Sequence, residues 1–212
     1  MSEAFDWSLK QQLFTVDMDT YLALPEDEAR NIEVKDGMIV HCQSPSPSHS
    51  AIGVSLQMAF RDAMRKRPAE APFLRVRGDV DMLVSDVPFH FKRPDVILYR
   101  CIEDPKAKWK DKPTVQDTIL VVEIVSPTTR TVDLVDKRAE YALYGIPHYW
   151  IVRMANDDGP AVKIEMLVLN SDGTYVTQDV AIRPRDGVGV AIDTLEPLEL
   201  KVTWEDLNEN VD

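Results

Sequence analysis

The stretch "ILVVEIVSPTTRTVDLVDK", which spans residues 119–137, decides the fold. Six of its first seven residues are aliphatic, as is typical of a strand buried on both faces, and the remaining one is Glu123. After the loop "SPTTRT" we predict a helix over residues 133–144, with Gly145 at its C-cap and Pro147 preventing its continuation. A buried strand followed by this helix is consistent with an α/β domain.

Glu123 needs a partner in such a strand. Because side chains alternate across a strand, Glu123 shares a face with Val121 and Val125, which point inward. Burying an unpaired carboxylate is costly, so the group must find a cation, a proton or a hydrogen-bond donor. The nearest candidates in the sequence are Arg130, Lys137 and Arg138, and a bound metal ion is a further candidate. A structural ion pair and a functional site both stay open at this point.

The composition is that of an ordinary globular protein. The 212 residues are 44% hydrophobic, and we expect a single domain over residues 1–212, with a core from about 30 to 182 and an acidic C-terminal extension over 183–212. The two cysteines lack metal-binding spacing, the N-terminal sequence lacks a secretory pattern, and no apolar stretch is long enough for a membrane span. These features predict a cytoplasmic protein with free thiols.

The net charge of −12 argues against a polyanionic partner, but the charge is unevenly distributed. Residues 1–40 carry nine acids and three bases, residues 153–212 carry thirteen acids and five bases, and the middle segment carries 16 bases and 14 acids. The bases of the middle segment form two runs, namely Arg61, Arg65, Lys66, Arg67, Arg75 and Arg77, and Lys92, Arg93, Lys106, Lys108, Lys110 and Lys112. A solvated surface is the ordinary interpretation of such runs.

Several other segments have clear local patterns. We predict a short amphipathic helix over residues 15–24 and a longer helix over 50–66, and the sequence "IEVKDGMIVHC" predicts a hairpin that turns at Asp36-Gly37. Further strands are predicted at 73–84, 95–99, 119–125 and 149–153, followed by a C-terminal hairpin of 162–169 and 175–181. The acidic tail "WEDLNENVD" is expected to fray.

A second acid is found in "KRPDVILYR", where Asp95 follows a proline and precedes an apolar strand. Taken alone, this dipeptide usually forms a turn before a strand. Together with Glu123, however, it gives two carboxylates on strands that could be neighbours, and carboxylate oxygens are the ligands that Mg²⁺ prefers. Asp79 and Asp81 in "RGDVDMLV" are alternative ligands if they share one strand face, although an exposed edge strand explains them equally well.

The ordered pattern "RPDV", "LVVEIVSP" and "GIPHYW", with an Asp, a Lys and a Tyr between the last two, resembles the bacterial putative restriction endonuclease family of the PD-(D/E)XK nuclease superfamily. The resemblance extends from about residue 32 to Trp150 and the following hairpin. It implies an α/β (α+β) fold with a restriction-endonuclease-like core, a mixed central β-sheet flanked by helices. The N-terminal helix and hairpin and the C-terminal hairpin would be added to this core.

The resemblance makes Asp95 and Glu123 the two acids of the superfamily motif. The lysine that commonly follows two residues after the second acid is replaced by Val125, and in this family a lysine of the next helix takes its role, here Lys137. The two acids, with the Ile124 carbonyl, would then hold Mg²⁺ or Mn²⁺. Lys137 would orient the attacking water or offset the charge that develops on the phosphate.

Three more residues match family positions in supporting roles. Glu33 would add an oxygen to the metal site, His49 would contact phosphate or metal-bound water, and Asp133 would cap the helix of Lys137 or hold that lysine from four residues away. Their structural alternatives are a solvent-facing hairpin residue for Glu33 and a helix cap or loop contact for His49.

The sequence as a whole predicts an Mg²⁺- or Mn²⁺-dependent endonuclease that hydrolyses DNA, does not enter membranes and leaves a homodimer open as its assembly. One alternative is a nuclease-like scaffold that binds nucleic acid or protein without cutting, which the acidic composition and Val125 favour. Another is a structural homodimer in which Glu123 forms only an ion pair.

Overall fold

The structure, a computed structural model, describes residues 15–42, 44–101, 108–109, 112–128, 131–185 and 191–211. The helices in this part of the chain are α1 (Met18–Leu22), α2 (Glu26–Ala29), α3 (Pro47–Arg65), α4 (Thr131–Leu143) and α5 (Trp204–Leu207). The strands are β1 (Ile32–Lys35), β2 (Met38–His41), β3 (Leu74–Gly78), β4 (Met82–Ser85), β5 (His90–Lys92), β6 (Val96–Arg100), β7 (Thr118–Val125), β8 (His148–Met154), β9 (Ala161–Leu169), β10 (Tyr175–Ile182), β11 (Ala191–Thr194) and β12 (Leu200–Thr203).

A six-stranded sheet in the order β10-β9-β8-β7-β6-β3 forms the centre of the molecule. Strands β7 and β8 are parallel and α4 connects them, whereas the other neighbouring strands of this sheet are antiparallel. The sequence of β7 is apolar on both faces because helices cover both faces of the sheet at this point. The predicted mixed sheet flanked by helices is confirmed.

Each face of the central sheet has its own core. On one face the α3 side chains Ile52, Leu56 and Phe60 pack with Val122 of β7 and Trp150 of β8. On the opposite face α4 and the residues after it pack over β6, β7 and β8, with Tyr141, Ile97, Val121 and Tyr149 among the buried residues. The two cores fix the positions of α3 and α4 relative to β7, and these are the three elements that carry the predicted site.

A second sheet, in the order β2-β1-β5-β4, lies beside the first. Its β1–β2 hairpin turns at Asp36 and Gly37, which have φ of 52° and 80°, as the Asp-Gly signal predicts. An aromatic cluster of Tyr21, Phe89, Phe91 and Trp109 supports this sheet.

The predicted single strand over residues 73–84 is wrong. Strand β3 belongs to the six-stranded sheet and β4 to the second sheet, and Asp79 in the connection between them has a left-handed φ of 51°. The sequence misleads here because the alternation of polar and apolar residues in "RVRGDVDM" continues through the turn. Asp79 and Asp81 therefore lie in a connection and do not share a strand face. The short strand β5 was not predicted.

The C-terminal part of the chain extends the core. Strands β11 and β12 pair, and α5 follows with a capping box between Thr203 and Asp206. Trp204 and Leu207 are buried in the same core as the α3 side chains, so the prediction that this segment frays is wrong. None of the helices in the described segments is both long and apolar enough to cross a lipid bilayer.

Candidate active site

Asp95 lies directly before β6, where it meets the neighbouring strand β7. The two strands are antiparallel, and Val96 faces Val122 in the register. The Asp95 Oδ2 atom accepts a hydrogen bond of 2.6 Å from the backbone N–H of Ile124. This bond fixes the Asp95 carboxylate beside the residue that follows Glu123. The prediction that the strands of the two acids neighbour each other is therefore correct.

Glu123 is only 4% exposed, and the helix α4 supplies partners for both of its carboxylate oxygens. The Lys137 ammonium donates to Oε2 over 2.8 Å, and the Tyr141 hydroxyl donates to Oε1 over 2.6 Å. Lys137 and Tyr141 are four residues apart on α4, so both project from the same face of the helix. The loop after β7 thus brings a lysine to the carboxylate, as the spacing of 14 residues allows.

His49 brings a third element to the same point. It lies in the first turn of α3, where the Ser46 side chain caps the helix and accepts from the His49 backbone N–H. The His49 Nε2 atom is 3.0 Å from the Ile124 carbonyl oxygen and 3.2 Å from Asp95 Oδ2. A carboxylate, a backbone carbonyl and an imidazole therefore converge. Because Ser46 is the cap, capping does not explain His49.

The charges of these groups depend on one another. Burial raises the pKa of Glu123, and the nearby Lys137 ammonium opposes this shift. Burial by itself would lower the pKa of Lys137, but the negative charges of Glu123, Asp95 and Glu33 hold it above its ordinary value. Burial likewise disfavours a charged His49, yet its hydrogen bond to Asp95 and the charge of Asp95 raise its pKa. The cluster retains two cationic side chains because acidic groups surround them.

A cleft of ≈ 460 Å³ opens beside this cluster. Asp95, His49 and Ile124 line it together with Asp79 and Arg93. Burial, and after it the charge of Asp95, raises the pKa of Asp79, as expected for a second acid that faces the same space. The cleft is large enough to admit a phosphate group with its flanking sugar.

The remaining predicted residues are less directly placed. The Glu33 carboxylate accepts from the Arg93 backbone N–H over 2.7 Å and lies 3.8 Å from the Lys92 ammonium, so it is held by the second sheet and does not face solvent. Asp133 lies within α4, which begins at Thr131, and is therefore not the N-cap. The Asp133 side chain, and Arg130 as a candidate cation, lie outside the described residues. Asp81 belongs to a separate cluster.

Tyr141 is a site residue that the sequence did not reveal. Its aromatic ring is buried in the α4 core, which is the ordinary interpretation of such a residue, but its hydroxyl reaches Glu123. The spacing of four residues from Lys137 was the available signal, because it places the two side chains on one helix face. Asp79 was considered as a ligand only on the assumption of a strand that does not exist.

The donor set fits a hard divalent cation. Carboxylate and carbonyl oxygens are the ligands that Mg²⁺ and Mn²⁺ prefer, and Asp95 Oδ2 and the Ile124 carbonyl oxygen both lie within 3.2 Å of the same nitrogen atom. Within the segments that the structure describes, no group of three or more His, Cys, Asp or Glu side chains is arranged to hold a metal ion without such a carbonyl. The backbone of Ile124 is therefore essential to any metal site here.

A family model matches most of the chain. The Uma2 model, described as "Putative restriction endonuclease", matches residues 18–203. The chain belongs to the Uma2 family. This Uma2 protein is also similar to a solved structure, described as a putative nuclease belonging to DUF820 from Anabaena variabilis, with a TM-score of 0.58 and 17% sequence identity over 92% of this chain and 98% of that one. At this identity the likeness concerns the fold, which agrees with the prediction. No curated protein matches the chain.

Proposed function

We propose that this Uma2 protein is a metal-dependent endonuclease that hydrolyses DNA phosphodiester bonds. The observation that carries the proposal is the convergence of Asp95, the Ile124 carbonyl and His49 at one end of a cleft. The Glu123–Lys137 pair lies next to this point, on the same strand as Ile124 and with a helix behind it. Oxygen donors and an amine in this arrangement suit the hydrolysis of a phosphodiester.

In this proposal Asp95, Glu123 and the Ile124 carbonyl hold Mg²⁺ or Mn²⁺. The ion, when bound, binds the scissile phosphate, lowers the pKa of a bound water and neutralises charge on the leaving oxygen. The protein holds two of the donors in place beforehand, because the Ile124 N–H orients Asp95 and because Ile124 belongs to a strand that is hydrogen-bonded on both sides. Preorganised ligands need little rearrangement when the substrate arrives.

Lys137 supplies the ammonium that this chemistry requires. The position two residues after Glu123 holds Val125, which is buried in the α4 core and offers no charge. Lys137 reaches Glu123 from α4 instead, and its raised pKa keeps it cationic. A cation fixed beside the metal ligands stabilises the negative charge that builds up on the phosphate.

We assign His49 the role of ordering the two oxygen donors. Its Nε2 atom contacts both Asp95 and the Ile124 carbonyl, and its raised pKa favours the charged imidazolium. The imidazolium adds positive charge to a cleft that also contains Asp79. A negatively charged substrate is repelled less when such a cation is present.

The test is cleavage of plasmid and single-stranded DNA with Mg²⁺ or Mn²⁺. The wild type is compared with Asp95→Ala, Glu123→Gln and Lys137→Ala, and with two controls, Glu165→Gln and Lys163→Ala, which change a carboxylate and an ammonium of another ion pair. We expect the first three variants to lose cleavage and the controls to retain it. Cleavage that persists in all three site variants would disprove the assignment.

A second candidate is a nuclease-like scaffold that binds without cutting. The observation that favours it is that both carboxylate oxygens of Glu123 already accept hydrogen bonds from Lys137 and Tyr141. A scaffold of this kind gains no thermal stability from Mn²⁺, whereas a metal enzyme is stabilised by any ion that binds its folded state. Thermal unfolding with and without Mn²⁺, in wild type and Glu123→Gln, distinguishes the two candidates.

A further inference from the structure

The outer edge of strand β3 carries a groove that the active site does not use. Strand β3 is the last strand of the central sheet, and no strand in the described chain pairs with its outer edge. A groove of ≈ 340 Å³ follows this edge between β3 and the C-terminal half of α3. We call it the β3-edge groove and define it by Arg61 and Met64 of α3 and by Phe73, Arg75 and Arg77.

The β3-edge groove is positively charged in a protein of net charge −12. Arg61, Arg75 and Arg77 line it, and none of its lining residues is acidic. No described carboxylate forms an ion pair with any of these three guanidinium groups, whereas the nearby Arg65 pairs with Asp62 at 2.7 Å. One of the groups lies along the strand edge, since the Arg77 side chain donates to the Val76 carbonyl over 3.0 Å. Three unpaired arginines in one groove favour an anionic ligand.

An exposed aromatic ring accompanies these cations. The Phe73 side chain is 66% exposed, and the guanidinium carbon of Arg75 lies 5.9 Å from the centre of its ring. A phenylalanine of this exposure loses the benefit of burial and is unusual on a surface with no partner. An aromatic ring among cations in a groove is the combination by which proteins stack unpaired bases and bind the backbone of a single strand.

The β3-edge groove leads to the active site along strand β3. A Cβ atom on Gly78, at the end of this strand, would be 3.1 Å from the backbone oxygen of Asp95, so the strand ends at the catalytic acid. Asp79, the next residue, lines the catalytic cleft. From Gly78 back to Phe73 the strand extends about 17 Å, which corresponds to about five nucleotides at 3.4 Å each.

We propose that the β3-edge groove binds a single-stranded segment of nucleic acid, with phosphates on the arginines and a base stacked on Phe73. The segment continues to the cleft at Asp95, and this continuation rests on the proposed function, whereas the binding itself does not. Duplex nucleic acid suits the groove less well, because paired bases cannot stack on a side chain. The substrate class is therefore a single strand, or a duplex with a single-stranded end.

The test measures binding without cleavage. Fluorescence anisotropy of a labelled oligothymidylate of about twenty nucleotides is recorded without divalent ions, over a range of salt concentrations, with an equal duplex and polyaspartate as competitors. The variants are Phe73→Ala and the double variant Arg75→Gln/Arg77→Gln. The matched control is Arg185→Gln/Lys201→Gln, which removes the same charge from two exposed positions outside the groove.

We expect the double variant to bind about tenfold more weakly and its salt dependence to fall by about 1.4 in log–log slope, at about 0.7 for each lost phosphate contact. Phe73→Ala should weaken binding by about tenfold with an unchanged slope, because stacking involves no counterion release. The control should bind as the wild type does. Unchanged binding in the groove variants, or equal displacement of the strand by polyaspartate or duplex, would overturn the proposal.

The two proposals fail separately. Strand binding that the groove variants weaken, in a protein that cleaves nothing with any divalent ion, supports the groove and rejects the nuclease. Cleavage by a protein whose strand affinity is the same in the wild type and both groove variants supports the nuclease and rejects the groove.

Discussion

Two buried carboxylates of this protein, Asp81 and Glu123, have nearly the same kinds of partner. Asp81 is 5% exposed and accepts from the Tyr21 hydroxyl at 2.8 Å and the Lys112 ammonium at 2.6 Å. Glu123 is 4% exposed and likewise accepts from a tyrosine and a lysine. The arrangement of one acid, one phenol and one ammonium is therefore present twice, on opposite sides of the β3–β4 connection.

The two clusters differ in the balance of charge. A second cation, Arg93, binds Asp81 at 2.7 Å, so two positive groups surround one negative group. At Glu123 a second acid, Asp95, is close enough to raise its pKa further after burial has done so. Positive charge is in excess at the first cluster, and negative charge is concentrated at the second. We infer that the first cluster stabilises the fold and that the second has capacity for an added cation.

The largest expected effect separates the two acids by activity. Glu123→Gln should reduce DNA cleavage by about a thousandfold or more, because a neutral amide is a poor ligand for a metal that contributes several kcal/mol of transition-state stabilisation. Asp81→Asn should retain the wild-type rate per folded molecule. Initial rates, normalised to the folded fraction from circular dichroism, test this difference. Equal losses in both variants would remove the functional distinction between the clusters.

The next effect reverses the order and concerns stability. Asp81→Asn should lower the free energy of unfolding by about 3 kcal/mol, because Arg93 and Lys112 then lose their shared anion. Glu123→Gln should cost less, since Tyr141 can still donate to the amide oxygen and the Lys137 side chain is 26% exposed to solvent. Urea unfolding of both variants at neutral pH gives the two values. A larger loss in Glu123→Gln would contradict the assignment of roles.

A smaller effect compares the two tyrosines. Tyr21→Phe and Tyr141→Phe each remove one hydrogen bond to a buried carboxylate and should each cost about 1 kcal/mol of stability. Only Tyr141→Phe should also slow cleavage, by about tenfold, because the Glu123 carboxylate is then less firmly oriented. Measurement of kcat beside urea unfolding separates the two consequences. A slower rate in Tyr21→Phe of the same size would show that the effect is not local.

The smallest effect is a pH dependence on the Asp81 side of the molecule. Burial lowers the pKa of His90 below its ordinary 6.5, although Asp36 opposes the shift. The unfolded chain then binds the proton first, so the contribution of His90 to stability is complete above pH 6.5 and is lost as the pH falls from 6.5 through the folded pKa. His90→Gln should show a shallower decline of unfolding free energy between neutral and mildly acidic pH. Parallel curves for the two proteins would disprove this linkage.

Much of the fold and part of the site could be predicted from local sequence. The aliphatic run of β7, the helical pattern of α4 and the Asp36-Gly37 turn all depend on neighbouring residues, and the structure contains them. The strand predicted over 73–84 failed because the turn at Asp79 breaks the chain without breaking the polar alternation. The segment around Trp204 was expected to fray because its acids are conspicuous, whereas its burial depends on a distant partner, α3.

The sequence by itself determined that one carboxylate would lie in a buried strand and that a lysine would follow within reach, because strand alternation and helix spacing are local properties. Only the tertiary structure decided which cations meet which acids. It places Arg93 and Lys112 on Asp81 and places Asp95, His49 and Tyr141 around Glu123 and its strand. The physical reason is that the electrostatic energy of a buried charge depends on distances between segments far apart in the chain, and packing sets those distances.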